Sequence, residues 1–455
     1  MPSQFFGLNI GASALSAFQT SVNTAANNVA NVQTKGYTRQ TANLSATDPI
    51  RVYTRYGSVG TGVEVTSVTQ ERNLYYDEKY WQSNSSRGFF EQKLYYVDQV
   101  QTIFRDDEQS QKGFSSIFSQ MFKDLDTLKT QGEVKAVRNQ FIHQAQSLCT
   151  YFNALSKSLT EIQADTNEEI KASVDNINSI AEKIASLNHQ INVIEIQGGY
   201  ANELRDQRAL LIDELSKIVP TEAEELPVQN SNEPDLPTGA NYFTVKIGGQ
   251  GLVDTYDYET LKCVARENKV NQSDMDGLYD VKWEKTGNSF KAGASSMSGT
   301  LKALFDIRDG NNGENFTGEA RVIDSKHVKV VSPSITDIEA MTVPESGTLT
   351  IYGKDYNYTN FTFETDANGK ITSYTFDLED ALSQQQSNKV DGMQASIGSS
   401  VDTMGVPYYM SQMNQFLRSF CSLFNDIMLK GQDLDGNATD YYSFFTGADQ
   451  VTGEE

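Results

Sequence analysis

Residues 170–218 read IKASVDNINSIAEKIASLNHQINVIEIQGGYANELRDQRALLIDELSKI. Ile170, Ile177, Ile184 and Ile191 recur every seven residues, and Ile180, Leu187 and Ile194 form a second series offset by three. Two interleaved series of this kind place one continuous apolar seam on a helix, so the stretch predicts a long helix of an antiparallel hairpin or bundle. Gly198 and Gly199 supply the turn. Beyond it Leu204, Arg208, Leu211, Leu215 and Ile218 continue at helical spacing until Pro220 ends the pattern. Upstream, helical texture extends back to about residue 88, so that residues 88–219 show only one clear break. A further apolar stripe of Met410, Met413, Phe416, Leu417, Phe420, Phe424, Ile427 and Met428 predicts another helix within 400–430. Residues 88–219 and 391–447 together read as a helical bundle domain.

Between these regions the texture changes. Residues 221–241, TEAEELPVQNSNEPDLPTGAN, hold three prolines and several acids and read as a linker. Phe243, Val245 and Ile247 then alternate with polar residues up to Gly248-Gly249, and LYDVKWEKTGNSF (278–290) predicts a hairpin around its Thr-Gly-Asn turn. Residues 221–300 therefore form a β-rich domain. A short helical segment, SGTLKALFDIRDG (298–310), follows. Residues 313–390 form a second β-rich insertion, with Asn368-Gly369 as its strongest hairpin signal. The expected fold class is mainly α with β-rich insertions: an N-terminal coiled-coil-type helix, a long helical bundle and one or two small all-β outer domains.

The N-terminus differs from everything after it. Leu8, Leu15, Val22 and Val29, with Gly11, Phe18, Ala25 and Val32, form two heptad series over a helix of about 38 Å. Off the seam lie Ser, Thr, Asn, Gln and Ala, so no charged pairs flank it. Small and amide side chains permit close approach of neighbours, and periodicity does not distinguish packing within the chain from packing between subunits. Gly36 suits the left-handed residue beyond a helix end, with Lys35 at the negative end of the helix dipole, so the helix should stop near residue 34. Residues 1–40 are thus an N-terminal heptad helix. Residues 41–87 read as an extended connector, with Val63 and Val65 on one face of a short strand.

Composition narrows the function. The 455 residues carry 37 Lys+Arg against 60 Asp+Glu, a net charge of −23, and no basic stretch forms a phosphate-binding stripe, which argues against nucleic acid. All of the acid lies beyond Thr47. No apolar run approaches the roughly 20 residues that span a bilayer, and the N-terminus lacks the basic flank and cleavage site of a secretory signal. Cys149, Cys263 and Cys421 are unpaired by spacing and read as buried small apolar residues. With three histidines, no metal centre or nucleophile triad suggests itself. Asp433, Asp435 and Asn437 alternate as in a calcium loop, but Ala438 and Phe444 stand where a glycine and an acid are required. Asp213 and Lys217 read as an i,i+4 pair on a wet face. No catalytic residue, cofactor or metal site is expected.

The segment Asn27, Asn28, Val29, Ala30, Asn31 followed by Gly36-Tyr37 resembles the N-terminal signature of flagellar rod, hook and hook-associated proteins. GYTRQ with GTGVEVTSVTQERN, the helix pair of 177–219, and FLRSFCSLFND with DLDGNATDYYSFFTG narrow the resemblance to the FlgK family of hook-filament junction proteins. That resemblance implies an extracellular, non-enzymatic flagellar protein, exported by the flagellar type III system without a cleaved signal. It implies a self-associating ring in contact with the hook protein and with the second junction protein or the filament, and an export chaperone. Leu8, Leu15, Phe18, Val22, Val29 and Val32 would be inner packing positions, and Asn27, Asn28 and Asn31 would be contacts in the tube wall. The family pattern also calls for a C-terminal inner helix after the DYYSFF region; none is read before Glu455, so against that pattern the sequence reads as a fragment or as a short variant with an incomplete inner domain. Two alternatives stand beside this reading: a distal rod or hook axial protein, and a secreted surface adhesin or hydrolase on a flagellar scaffold, housed in residues 221–390.

Overall fold

The computed structural model describes residues 5–51, 57–106, 113–229, 237–432, 436–439 and 443–447. Helix α1 (Phe6–Ala30) is followed by β1 (Gln40–Ala46), the short strands β2 (Ile50–Arg51) and β3 (Ser58–Val59), and β4 (Val63–Gln70). Then come α2 (Leu74–Ile103), α3 (Phe114–Thr130), α4 (Lys135–Glu195) and α5 (Asn202–Ile218). Strands β5 (Thr221–Gln229), β6 (Pro237–Ile247), β7 (Gln250–Asp254) and β8 (Asp257–Tyr258) form one antiparallel sheet in that order. After β9 (Leu261–Ala265), β10 (Tyr279–Trp283) and α6 (Thr300–Asp309) come β11 (Phe316–Val322), β12 (His327–Val331), β13 (Gly347–Ile351), β14 (Lys354–Thr365) and β15 (Ile371–Leu378). The chain continues through α7 (Gln384–Val390), β16 (Gln394–Ile397) and α8 (Val406–Met428).

Two compact units emerge. The first takes the described residues up to Glu91, Ala172–Cys263 and Val281–Lys302; the second takes Gln92–Lys171, Val264–Asp280 and those from Ala303 onward. Of the helical residues read as one bundle with 391–447, those of 92–171 fall in the second unit together with the residues after 391, whereas 172–219 fall in the first. The β5–β8 sheet shares a core with the C-terminal half of α4 and with α5: Asn188 Nδ2 donates to Thr255 O (2.8 Å), Asn192 Nδ2 to Asn241 O (2.9 Å), and the Arg208 guanidinium stacks 3.6 Å from the centre of the Phe243 ring.

The α4 seam explains that core. Ile170, Ile177, Ile184 and Ile191 are all buried, as are Ile180 and Leu187, and each such side chain contributes about 1.5–3 kcal/mol. Ile194 is half-exposed because the helix ends at Glu195, before the turn at Gly198. Three interruptions occur between 88 and 219 where one is evident in the sequence; the breaks after Ile103 and Thr130 carry no Gly-Gly or Pro. Instead Asp106 Oδ2 accepts the Ser115 N–H at 2.9 Å at the start of α3, and the Ser115 side chain first, then this N–H, hold the Asp106 carboxyl below its usual range.

The 41–87 connector is also shorter than its sequence implies, because α2 begins at Leu74. Its packed face is Trp81, Asn84, Ser85 and Gly88 rather than a row of aliphatic residues, which is why no apolar period announces it. Trp81 Nε1 donates to Asp213 Oδ1 (2.8 Å), Asn84 Nδ2 donates to Asp213 O (2.8 Å) and Ser216 Oγ (2.9 Å), and a Cβ on Gly88 would lie 2.3 Å from Lys217 O. Asp213 is thus consumed by α2, and Lys217 pairs with Glu91 (3.0 Å) rather than with Asp213.

In the second unit, β11-β12-β15-β14-β13-β16 close into a barrel, so the second β-rich insertion extends through Ile397. Closure satisfies strand edges that an open sheet would leave to pair elsewhere. Its core packs Phe316 edge-on against Tyr374 and Phe376. The phenols of Tyr358 and Tyr374 donate to Pro344 O (2.9 Å) and Ile335 O (3.1 Å), and burial raises both above the ordinary phenol range. Asn368-Gly369 turns β14 into β15, with Gly369 at φ +80°. Beside the barrel, α8 lays Phe416, Phe420 and Phe424 against Phe114, Phe118 and Phe141 of α3 and α4. Cys149 is exposed and Cys263 and Cys421 are half-buried, so none is the buried apolar filler expected.

Candidate assembly surface

Helix α1 ends at Ala30, earlier than residue 34, because its last turn closes into an asparagine network. Asn31 Nδ2 donates to Asn27 O (3.0 Å) and Asn27 Oδ1 (2.9 Å), and Asn31 Oδ1 accepts from Thr34 Oγ1 (3.1 Å). Asn28 acts as a strand partner: its Nδ2 donates to Gln40 O (2.8 Å), while its Oδ1 accepts the Gln40 N–H (3.0 Å) and the Tyr37 hydroxyl (2.9 Å). Of the three asparagines read from sequence as tube-wall contacts, Asn27 and Asn31 hold each other and Asn28 holds Tyr37 and Gln40, with Asn28 and Asn31 half-buried and Asn27 exposed. Replacing Asn28 by Ala should cost about 1–3 kcal/mol locally, seen as loss of hydrogen-exchange protection at the Gln40 amide.

The turn is anchored to α5. Asp206 accepts the Thr38 N–H (3.1 Å) and Gln70 Nε2 (2.7 Å), Gln70 Nε2 also reaches Asn202 O (2.7 Å), and Asn202 Nδ2 donates to Val68 O (2.7 Å). Burial, and then the Asp206 and Glu203 charges, push the Tyr37 phenol above its ordinary value. Gly36 sits at φ +79°, and a Cβ there would fall 2.3 Å from the Leu210 side chain. Gly36→Ala should therefore lower the thermal midpoint through about 1–2 kcal/mol of strain and clash. Nearby, Arg205 bridges Glu195 (2.7 Å) and Glu225 (3.0 Å), which together overcome the cost of its burial and raise its affinity for the proton. Burial dominates at Arg208, pulling its guanidinium down to about 10 although it bonds Asn188 Oδ1 (2.9 Å) and Glu225 Oε2 (3.2 Å).

Only one face of α1 meets the β1–β4 ribbon, and it is the small polar one. Ala17 is buried, with Ser13, Ser21, Thr24 and Asn28 half-buried beside it, and a Cβ on Gly62 would strike Ser13 Oγ at 2.2 Å. At 100° per residue the apolar stripe lies on the opposite side. Leu8, Leu15, Phe18, Val22, Val29 and Val32 are 59–77% exposed. The helix carries no charged residue from Phe6 to Ala30. Five of the six apolar positions predicted as a seam thus share the uncovered side of α1, and Val32 lies exposed just past its end; the described chain covers none of them. Sequence periodicity located the stripe; the docked face had no apolar period to reveal it. Asp433 and Asp435 lie outside the described residues. Among the described residues, no group of three His, Cys, Asp or Glu is arranged to hold a metal, and no helix is long and apolar enough to cross a membrane.

The family profile "Flagella basal body rod protein" matches residues 8–38, and "Flagellar hook-associated protein FlgK helical domain" matches 97–318. Flagellar hook-associated protein 1 of Bacillus subtilis is 35% identical over 224 residues, 48% of this chain and 44% of that protein. Its counterpart in Escherichia coli is 27% identical over 409 residues, 80% of this chain and 71% of that protein, and the Salmonella typhimurium protein is 31% identical over 53% of this chain and 42% of its own length. The chain therefore matches less than half the length of two of these three relatives. The solved flagellar hook junction protein FlgK from Burkholderia pseudomallei aligns at 15% identity over 73% of this chain and 64% of that one, with a TM-score of 0.46, too slight a likeness to bear on the fold. The N-terminal rod-type signature, the FlgK helical region and these relatives make the chain similar to flagellar hook-associated protein 1 over residues 8–38 and 97–318.

Proposed function

We propose that this protein is a structural subunit of the bacterial flagellum, built into a ring at the hook-filament junction. The observation that carries the proposal is the uncharged α1 with five exposed apolar side chains away from its docked face, and exposed Val32 just beyond its end. A contiguous apolar stripe of this size on a water-facing helix is a contact surface, and copies of the same helix in an axial tube are its partners. The hook protein adjoins the ring on one side and the second junction protein or the filament on the other. Export proceeds through the flagellar type III apparatus, with a chaperone covering the stripe before assembly. An epitope inserted at the exposed Asn368-Gly369 turn provides the test. Immunogold labelling of sheared flagella should decorate the joint between hook and filament, and label spread along the filament or confined to the cell body would overturn the assignment.

A further inference from the structure

In the first unit, α2, α4 and α5 enclose a cleft of 930 Å³. Its rim carries four cations, Lys35, Arg87, Lys183 and Lys217, in a chain whose net charge is −23. Two carboxylates also line it: Asp213, taken by Trp81 Nε1, and Glu214, reached by Asn176 Nδ2 at 3.4 Å. Arg87 and Lys217 share Glu91, 3.0 Å from each, whereas Lys35 and Lys183 have no ion pair among the described residues. Leu187, Leu210 and Leu211 supply an apolar part of the lining.

The same chain presents the complementary surface. Glu161, Asp165 and Glu168 are all exposed on the part of α4 that belongs to the second unit. At 100° and 1.5 Å per residue they fall within about 60° of one another along about 10 Å of helix. Among the described residues only Glu161 has a cation in reach, Lys157 at 4.0 Å.

We propose that the cleft receives a second copy of this chain, which inserts the acidic ridge of its α4. The contact is heterologous, with a different patch on each partner, and such contacts generate rings or helical assemblies rather than closed pairs. It rests on the reading of side-by-side copies in an axial structure and adds to it a lateral, charge-steered contact distinct from the α1 stripe. Charges at a rim set encounter and register and are screened by salt, so the association should weaken as ionic strength rises.

Sedimentation of the full-length protein at low and high salt tests this, using Lys35→Glu with Lys183→Glu in one variant and Asp165→Lys with Glu168→Lys in another. All four positions are exposed, so both variants should keep their circular dichroism. Each alone should associate at least about tenfold more weakly than the natural chain, and an equal mixture of the two should recover that association, because reversed cleft then meets reversed ridge. The proposal falls if the natural chain stays monomeric at millimolar concentration, if either variant associates normally, or if the mixture shows no recovery. Immunogold labelling at the joint alongside such a failure would leave the junction assignment standing and remove only this contact.

Discussion

Leu15→Asp combined with Val22→Asp in the full-length protein abolishes filament attachment while leaving the fold intact. Both side chains are about two-thirds exposed and lie opposite the face that α1 buries, so their replacement removes no internal contact. Substitutions at such positions usually change folding stability by no more than about 0.5 kcal/mol. Within a subunit interface the same carboxylates are desolvated without a counter-charge, since α1 carries none, and each costs several kcal/mol. The separation of the two effects is the diagnostic. Electron microscopy should show hooks without filaments and cells should not swim, with an unchanged helical circular dichroism signal from the purified variant. Normal motility would remove the stripe from the assembly mechanism.

Asp309→Asn destabilises the second unit by about 3 kcal/mol, the scale on which a buried ion pair suffers when one partner is removed. The Arg308 side chain is 0% exposed; its Nε and Nη2 donate to the two Asp309 oxygens at 3.0 and 2.7 Å, and its Nη1 donates to Asn167 Oδ1 (3.0 Å) and Tyr279 O (2.7 Å). Arg266 reaches the same carboxylate (2.9 Å) and also Asp280 (2.8 Å). Asparagine would leave two enclosed guanidinium groups short of a counter-charge. Burial by itself would raise the Asp309 pKa, but the Arg266 and Arg308 charges and hydrogen bonds outweigh it and hold the carboxyl well below its usual range. A depressed folded pKa makes its stabilisation complete above the unfolded value of about 4 and lost as pH falls through the folded one. Urea unfolding followed by circular dichroism should therefore show natural chain and variant far apart at pH 7 and converging under acid. A variant within 0.5 kcal/mol of the natural chain at pH 7 would refute the role given to this network.

Legibility in the sequence followed the kind of packing each segment uses. The α4 seam, the Gly198-Gly199 turn, α8 and the Asn368-Gly369 hairpin were readable because aliphatic periodicity and left-handed turn residues are local signals. The start of α2 was not, because Trp81, Asn84 and Gly88 make sense only against Asp213, Ser216 and Lys217, about 130 residues away in the chain. Nor was Arg308, whose place at the centre of a buried network depends on Asn167 and Tyr279 arriving from other elements. On α1 the outcome was divided: the apolar stripe was evident, while the amides were assigned outward and in the structure largely satisfy one another and Gln40.

By itself the sequence determined that a long Ile-rich helix pair organises the chain and that the N-terminal helix carries an uncharged apolar stripe, since both properties are written in spacing along one strand of sequence. Only the tertiary structure decided which side of that helix is covered. Ser13, Ala17 and Asn28 are poor hydrophobic anchors, yet they dock because the β1–β4 ribbon offers Gly62 for close approach and Gln40 for hydrogen bonding. Shape and polar pairing can bury a face that hydrophobicity would leave in water, and here they leave the apolar face free.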